Sequence, residues 1–202
     1  VDGVRDDRRG VVKLALDHSG VGISNTIPKA ARANPFEPLN GILGSQGERW
    51  AALNSKVPHS DAERLIAATE AAINPYRERM AACGVTMSFL YIAIAQRVFS
   101  YEPVLRWFDE WLPVHRHVPE PDFLSGLEEP SPNHKGRALV DEVRSKIVDV
   151  FAEFGAASNQ IGKTYPMLAS LNPDSRSVLR ALKKELDPEG LINPGALGDF
   201  SA

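Results

Sequence analysis

Histidine is the side chain best suited to acid–base and metal chemistry near neutral pH, and the five histidines of this chain are dispersed. The only close pair is His115 and His117, which flank an arginine in a predicted loop. One His-x-His pair on a loop is weak support for a metal ligand, so surface roles are the better interpretation. His18 and His59 have the chemistry of a base, but each is isolated in sequence, and His134 begins a predicted helix. The histidines therefore predict no metal site.

Glycines are frequent near the start of the chain, as they are in nucleotide-binding loops. A phosphate-binding glycine loop follows a strand and opens a long helix, and no such pattern surrounds these residues. We therefore interpret them as turn glycines: Gly20, Gly22, Gly41, Gly44 and Gly47.

The bulk composition is that of a globular protein with one core. The chain has 202 residues, of which 43% are hydrophobic and 24% are charged. Its net charge of -3 and pI near 6.0 argue against a nucleic-acid binder, and no apolar stretch is long enough to predict membrane insertion. Cys83 is the single cysteine, which excludes an internal disulfide and fits a reducing cytoplasm. Because the chain begins with Val1, we interpret it as a fragment, a processed chain or one subunit of a split protein.

Hydrophobic periodicity predicts a first helix that starts at Ser60, where Ser60 and Glu63 have the spacing of a capping box. An Asn-Pro pair at residues 74–75 predicts a kink, and Gly84 predicts the left-handed stop. A second helix follows from the apolar spacing over residues 140–154.

A third predicted helix begins at Asn172 and ends near Asp187. Its leucines are predicted to point inward: Leu179, Leu182 and Leu186.

Extended segments are predicted over residues 50–57 and 85–95, the second being rich in β-branched and aromatic residues and followed by the polar Gln96, Arg97 and Tyr101. Trp107 and Trp111 belong to a patch, residues 107–112, that predicts a short helix, and a proline-rich loop follows over residues 113–132. The first fifty residues are irregular, with a possible strand over residues 11–16. This order predicts an α+β fold, an antiparallel sheet with helices on one face.

Residues 182–195 read LKKELDPEGLINPG. This segment resembles the terminal signature of the vanillyl-alcohol oxidase and p-cresol methylhydroxylase superfamily of flavoproteins, where a lysine-bearing helix runs into a DP-x-G-(I/L)-(I/L/M)-NPG turn. Residues 50–64 and 151–165 are similar to parts of its glycolate-oxidase-like and D-lactate-dehydrogenase-like members. The resemblance covers roughly residues 41–198.

The resemblance implies a ferredoxin-like cap over residues 50–187, preceded by an irregular arm or linker over residues 1–49. Residues 188–202 would be a tail that packs on a flavin domain lying outside this chain. The cofactor would be FAD, and the implied partners are an FAD-binding domain or subunit and a small-molecule substrate.

The chain departs from the metal-dependent members of the superfamily. Those members place a spaced histidine pair after a strand and a Glu-His pair before a glycine turn. Here residues 85–95 contain no histidine, and the later position reads SNQIG over residues 158–162. Neutral amides are poor ligands for transition metals, so metal-assisted chemistry is not expected.

The resemblance also implies which side chains face the flavin and substrate. Arg97 and Lys163 have the chemistry to bind a carboxylate, and a tyrosine can donate to or accept from a hydroxyl. The candidate catalytic residues are Tyr91, Arg97, Tyr101, Lys163 and Tyr165, and the candidate cofactor-binding residues are Asn159, Gln160, Asn193, Pro194 and Gly195.

The leading functional hypothesis is a cap, or cap subunit, of an FAD-dependent oxidoreductase that oxidises a small hydroxy acid or alcohol by hydride transfer to flavin. Two alternatives stay open. One is a subunit of a para-substituted phenol oxidase or dehydrogenase, and the other is a non-catalytic cap-like interaction module.

Overall fold

The computed structural model describes residues 17, 24–33, 35, 40, 43–160, 162–198 and 200. The chain divides into two compact units, residues 1–39 and 40–202. In the first unit, helix α1 spans Thr26–Ala33. The possible strand over residues 11–16, and Gly20, Gly22 and Gly41, lie outside the described residues.

The second unit contains one antiparallel sheet, whose central strand is β4 (Val98–Phe108). Strands β1 (Glu48–Ala52) and β2 (Ser55–Pro58) pair in succession with one edge of β4. Strand β3 (Thr86–Ile94) pairs with the other edge along its whole length. The predicted α+β fold with an antiparallel sheet is thereby confirmed.

Pro103 explains why the first edge of the sheet is divided into two strands. The Cα partners Ala52 with Val104 and Ser55 with Tyr101 belong to one register, so β1 and β2 continue each other. At the gap, the Leu53 amide donates to the Pro103 carbonyl at 3.0 Å. Proline has no amide hydrogen to return to Leu53, so the ladder is interrupted there.

Helices precede and follow the β3–β4 hairpin. Helix α2 (Ala62–Ile73) and helix α3 (Arg77–Ala82) are joined by a 3-10 turn, and α6 (His134–Glu153) follows β4. Short helices fill the connections: α4 (Pro113–His117), α5 (Pro121–Ser125) and α7 (Met167–Ser170). The last helix is α8, Pro173–Leu186.

With β1 and β2 counted as one interrupted edge strand, the order of the main elements is strand, helix, two strands, helix, and then a return to the sheet. After α6, Ala157 forms an isolated antiparallel bridge with Lys56 on the outer edge of β2. This bridge occupies the place of a fourth strand in a ferredoxin-like arrangement.

The core lies between one face of the sheet and helices α2 and α6, which pack against each other and contact β4. The inward side chains of β4 include Tyr101 and Leu105, both fully buried. Their partners from the helices are buried apolar residues, among them Leu65, Ile73, Val143 and Ile147. Burying this apolar surface is the main stabilising term of the fold.

Several local predictions are wrong. Trp107 belongs to the end of β4, not to a helix, and Tyr101 lies within β4. Pro103 interrupts a strand pattern in sequence, which hid β4. The predicted loop over residues 113–132 contains α4 and α5.

Two predictions for helices also fail. The capping box at Ser60 does not form, because α2 begins at Ala62 and its N-cap, Asp61, makes no side-chain capping bond. Leu182 and Leu186 of α8 are exposed, not directed inward. By contrast, the 3-10 turn at Asn74–Tyr76 marks the predicted kink.

None of the described helices is both long enough and apolar enough to span a membrane.

Candidate functional site

The face of the sheet opposite the helices exposes a broad apolar surface, which we call the open face. Residues directly opposite in an antiparallel pair share a face, so the even-numbered residues of β4 share the open face with those of β1, β2 and β3. Its exposed members include Trp50, Leu90, Ile92, Ile94, Arg106 and Phe108. Exposed apolar patches of this kind are typical of binding surfaces.

Four polar residues lie in the middle of the open face, and we call them the polar cluster: Asn54, Lys56, Ser100 and Glu102. The Asn54 side-chain amide donates to the Glu102 carboxylate, while its oxygen accepts from the Lys56 ammonium. Lys56 also donates to the Ser100 hydroxyl at 3.4 Å. The cluster thus holds a carboxylate and an ammonium at a fixed separation, with an amide between them.

Tyr165 supports the cluster from the sheet edge. Its hydroxyl oxygen accepts a hydrogen bond from the Asn54 backbone amide at 2.6 Å. Burial raises the pKa of Tyr165, so the phenol is neutral at physiological pH. Of the candidate catalytic residues, Tyr165 is the one that the described structure joins to the polar cluster by a hydrogen bond.

Tyr91 and Tyr101 are cross-strand partners on the helix side of the sheet, not on the open face. Their rings stack with centroids 5.4 Å apart, and Tyr101 meets the ring of Phe151 edge-on. Burial raises the pKa of Tyr101, and its buried hydroxyl has no hydrogen-bond partner among the described residues. This position is that of a core residue, whereas Tyr91 is half exposed at the sheet edge.

Arg97 and Lys163 are both exposed and lie in different regions of the chain. Arg97 is in the turn between β3 and β4, where its carbonyl accepts from the His59 amide at 3.1 Å. Lys163 lies beside the tail, with its Cε 3.8 Å from the position of a β-carbon built on Gly195. The described hydrogen bonds connect neither side chain to the polar cluster.

The candidate cofactor-binding residues Asn159, Gln160, Asn193, Pro194 and Gly195 are all exposed. Asn193 and Gly195 have left-handed backbone, with φ of 46° and 77°. Their conformation forms the turn that follows α8.

Asp187 organises residues 182–195, which we call the signature segment. Its nearly buried carboxylate accepts from the backbone amides of Leu191 at 2.8 Å and Ile192 at 3.0 Å, and from the Lys183 ammonium. Lys183 also donates to the Ile192 carbonyl at 2.7 Å. The hydrogen bond from Lys183 lowers the pKa of Asp187.

The tail then returns to the chain that precedes α7. The Leu197 amide donates to the Gly162 carbonyl at 3.0 Å, and the Leu197 carbonyl accepts from the Leu168 amide at 2.9 Å. A groove of about 820 Å³ lies between α8 and the tail. Basic and acidic side chains line it, including Arg180, Lys184 and Glu189.

Metal ligands do not converge anywhere in the described ranges, where no group of three or more His, Cys, Asp or Glu side chains could hold an ion. His115 is buried, and its Nδ1 accepts from the Leu112 amide at 3.0 Å at the start of α4. Burial, with nearby Arg49, lowers the pKa of His115. Its observed role is to cap a helix.

The open face has the chemistry to roof a flavin ring but not to bind a whole FAD. Trp50, Leu90, Ile92 and Phe108 give a plane of apolar contact beside the hydrogen-bonding groups of the polar cluster. A dinucleotide also needs a phosphate-binding loop at a helix N-terminus, and the described residues include no glycine loop of that kind. The described residues therefore offer no phosphate site for a dinucleotide.

Sequence reasoning missed Asn54, Lys56, Ser100 and Glu102. The available signal was Glu102 itself, a charged residue inside the mostly apolar run of residues 98–108, which also contains Ser100 and Arg106. Because β4 was not predicted, the side chains of the sheet could not be assigned to one face or the other.

Compared with known proteins, the chain matches no protein-family model, no curated protein and no solved structure.

Proposed function

We propose that this chain is the substrate-covering cap of an FAD-dependent oxidoreductase that oxidises a small hydroxy acid or alcohol. The observation that carries the proposal is the open face, where a polar cluster is surrounded by exposed apolar side chains on an antiparallel sheet. The resemblance of residues 182–195 to the flavoprotein signature supports the choice of cofactor.

A second exposed surface supports a partner domain. Leu182 and Leu186 of α8, and Leu191 and Ile192 after it, are exposed. Apolar side chains in such numbers are usually covered in the working protein. The FAD-binding domain or subunit would supply that cover and the phosphate site.

A bound flavin would supply the redox chemistry of the reaction, which is the acceptance of a hydride from the substrate. The residues of this chain would bind the substrate, orient it and exclude water from above the ring. The polar cluster would supply the oriented hydrogen bonds, and the apolar side chains around it would supply the dry surface.

The test is to purify the tagged chain from its native host, record its visible absorption spectrum and identify every accompanying polypeptide. Flavin bands that copurify with an FAD-binding domain or chain are expected. Ile92→Lys, on the open face of β3, should lower the flavin recovered per chain. The matched control is Ala93→Lys, which places the same charge on the other face of the same exposed edge strand.

A colourless preparation would contradict the proposal that the chain belongs to an FAD-dependent oxidoreductase. A copurifying partner without flavin would favour the alternative of a non-catalytic interaction module. Equal flavin recovery in the two lysine variants would contradict the assignment of the flavin to the open face.

A further inference from the structure

We propose that the edge of β3 that faces away from β4 pairs antiparallel with β3 of a second copy of this chain, so that the two sheets become one. We call this edge the outer edge. The pairing uses main-chain groups at the side of the sheet. It therefore goes beyond the proposed function and does not depend on a flavin.

The register of the sheet identifies the main-chain groups that point out from the outer edge. The Leu53 amide donates to the Pro103 carbonyl at 3.0 Å, so odd-numbered residues of β4 direct their main-chain groups toward the β1–β2 edge. Even-numbered residues of β4 then face β3, where their Cα partners are also even-numbered. The odd-numbered residues of β3, including Tyr91 and Ala93, thus direct their amides and carbonyls outward, and no described strand pairs with them.

The outer edge lacks the features that usually prevent edge strands from pairing. Residues 86–96 contain no charged residue and no proline, and the pairing of β3 with β4 continues without a bulge. The other edge of the sheet carries Glu48, Arg49 and Lys56, and the main chain of Ala157 bonds to that of Lys56 at 2.7 and 3.0 Å. A long, uncharged edge is a template on which another strand can pair.

The end of β3 is apolar on both faces of the sheet. Leu90, Ile92 and Ile94 lie on the open face, Tyr91 and Ala93 lie on the helix side, and all five are exposed. A continuous apolar run of this kind is typical of a strand inside a sheet. A flavin on the open face would cover only the even-numbered side chains, and the edge itself would still be uncovered.

The sequence of the outer edge is complementary to itself, which favours a second copy as its partner. A two-fold axis at Ile92 sets Leu90 opposite the partner's Ile94, and Tyr91 opposite the partner's Ala93. Apolar side chains then meet each other across the pair, with the large ring of Tyr91 beside a small residue. In this register the outward main-chain groups of Tyr91 and Ala93 also face each other, as an antiparallel pair requires.

The exposed area fits an added strand better than a broad docking surface. Leu90, Tyr91, Ile92 and Ile94 are each between 39% and 48% exposed. The area that they offer is therefore below the ~800 Å² per partner that a standard interface buries. In strand addition the main-chain hydrogen bonds supply the affinity. We therefore expect a reversible dimer that is populated as the concentration rises.

The test is sedimentation velocity of the full chain at increasing concentration, with Leu182→Glu and Leu186→Glu in place so that α8 does not contribute. An equilibrium between monomer and dimer is expected. Ile92→Lys should weaken the dimer at least about tenfold, because the two-fold axis brings two ammonium groups together. An equal mixture of Ile92→Lys and Ile92→Glu chains should restore the dimer, because unlike charges then meet.

Trp50→Lys is the matched control. It adds the same charge at an exposed aromatic residue of the open face, but on β1, at the other edge of the sheet. It should leave the dimer unchanged. Equal weakening by Trp50→Lys and Ile92→Lys, or a mixture of the two Ile92 variants that stays monomeric, would overturn the pairing through β3.

Amide hydrogen exchange, measured by NMR at each residue, tests the geometry without a substitution in β3. The amides of Leu90 and Ile92 should be protected at every concentration, because they bond to β4. Those of Tyr91 and Ala93 should become protected only as the dimer forms. Protection of Tyr91 and Ala93 in the monomer would mean that another segment of the chain covers the edge, and this result, or a chain that is monomeric at every concentration, would contradict the proposal.

Discussion

Asp109 shows how a single charged residue joins the end of the sheet to α6. Its carboxylate is 3% exposed and accepts from Arg137 through two bonds of 2.8 Å. It also accepts from the Asn133 amide at 2.9 Å and from the Trp107 indole at 3.3 Å. The hydrogen bond from Arg137 is the main cause that lowers the pKa of Asp109.

Asp109→Asn should therefore destabilise the protein by roughly 2–4 kcal/mol, because a buried ion pair loses one partner while the guanidinium keeps contact with solvent. The pKa of this carboxyl is lower in the folded state than in the unfolded state. Its contribution to the free energy of unfolding is therefore complete above the unfolded pKa and is lost as the pH falls through the folded pKa. Urea unfolding at neutral pH and near pH 4 measures both effects.

The matched control is Asp141→Asn on the surface of α6, where the carboxylate pairs with Arg144 and is mostly exposed. This change should cost at most about 0.5 kcal/mol. Equal losses in the two variants, or an unchanged acid dependence in Asp109→Asn, would contradict the assigned role of Asp109.

Tyr165 gives a second prediction at the residue scale. Tyr165→Phe leaves the Asn54 amide without its acceptor and should cost about 1–2 kcal/mol. Tyr91→Phe removes a hydroxyl with no described hydrogen bond and should cost less than about 0.5 kcal/mol. Urea denaturation distinguishes the two, and a larger loss in Tyr91→Phe would contradict the structure of the sheet edge.

At the residue scale, part of the candidate site could be predicted from the sequence. Tyr165 could be selected because it is a hydrogen-bonding aromatic in a segment similar to a flavoprotein family. Lys56 and Glu102 could not, because their proximity depends on the register of β2 with β4. A shift of one residue in the register of β2 would place Lys56 on the face of the sheet opposite to Glu102.

At the scale of elements, the long helices followed from local signals, whereas β4 and the short helices α4 and α5 did not. Apolar spacing predicted α6 because its buried residues recur at helical intervals. Pro103 in a central strand is tolerated because its missing amide falls at the gap between β1 and β2. That compensation involves a residue distant in sequence, and local rules cannot detect it.

Caps of the helices provide an element-scale prediction. The Asn133 side chain accepts from the Gly136 amide at 2.8 Å to cap α6, and donates to the Cys83 carbonyl at 3.0 Å. Asn133→Ala should cost about 1–2 kcal/mol because both bonds are lost.

Ser60→Ala is the comparison, since the described Ser60 makes no capping bond for α2. It should change the free energy of unfolding by less than about 0.5 kcal/mol. Thermal and urea unfolding measure the stability of both variants. A greater loss of stability in Ser60→Ala than in Asn133→Ala would contradict the capping role of Asn133.

At the scale of the whole molecule, apolar side chains remain exposed on α8 and after it. Leu186 is 75% exposed, and Leu182, Leu191 and Ile192 are also exposed. The combined change Leu182→Glu and Leu186→Glu should lower self-association of the isolated chain without lowering its stability. Sedimentation velocity at increasing concentration measures the first effect, and a loss of folded protein would contradict the exposed position of these leucines.

The fold class could be predicted from the sequence, because it depends on the order of strongly patterned segments. The signature segment could be recognised as well, since Asp187 and Lys183 organise a turn that is contiguous in sequence. The open face could not be derived, because it arises only when β3 and the β1–β2 edge are placed on the two sides of β4.

The measurement that tests the central claim most directly is anaerobic mixing of the purified flavin-containing assembly with small 2-hydroxy acids, followed by the flavin absorbance. The account predicts that at least one of these acids bleaches the oxidised flavin, and that Lys56→Met slows the bleaching at subsaturating acid. An assembly without flavin, or a flavin that stays oxidised with every hydroxy acid and alcohol, would contradict the claim that this chain caps an oxidoreductase.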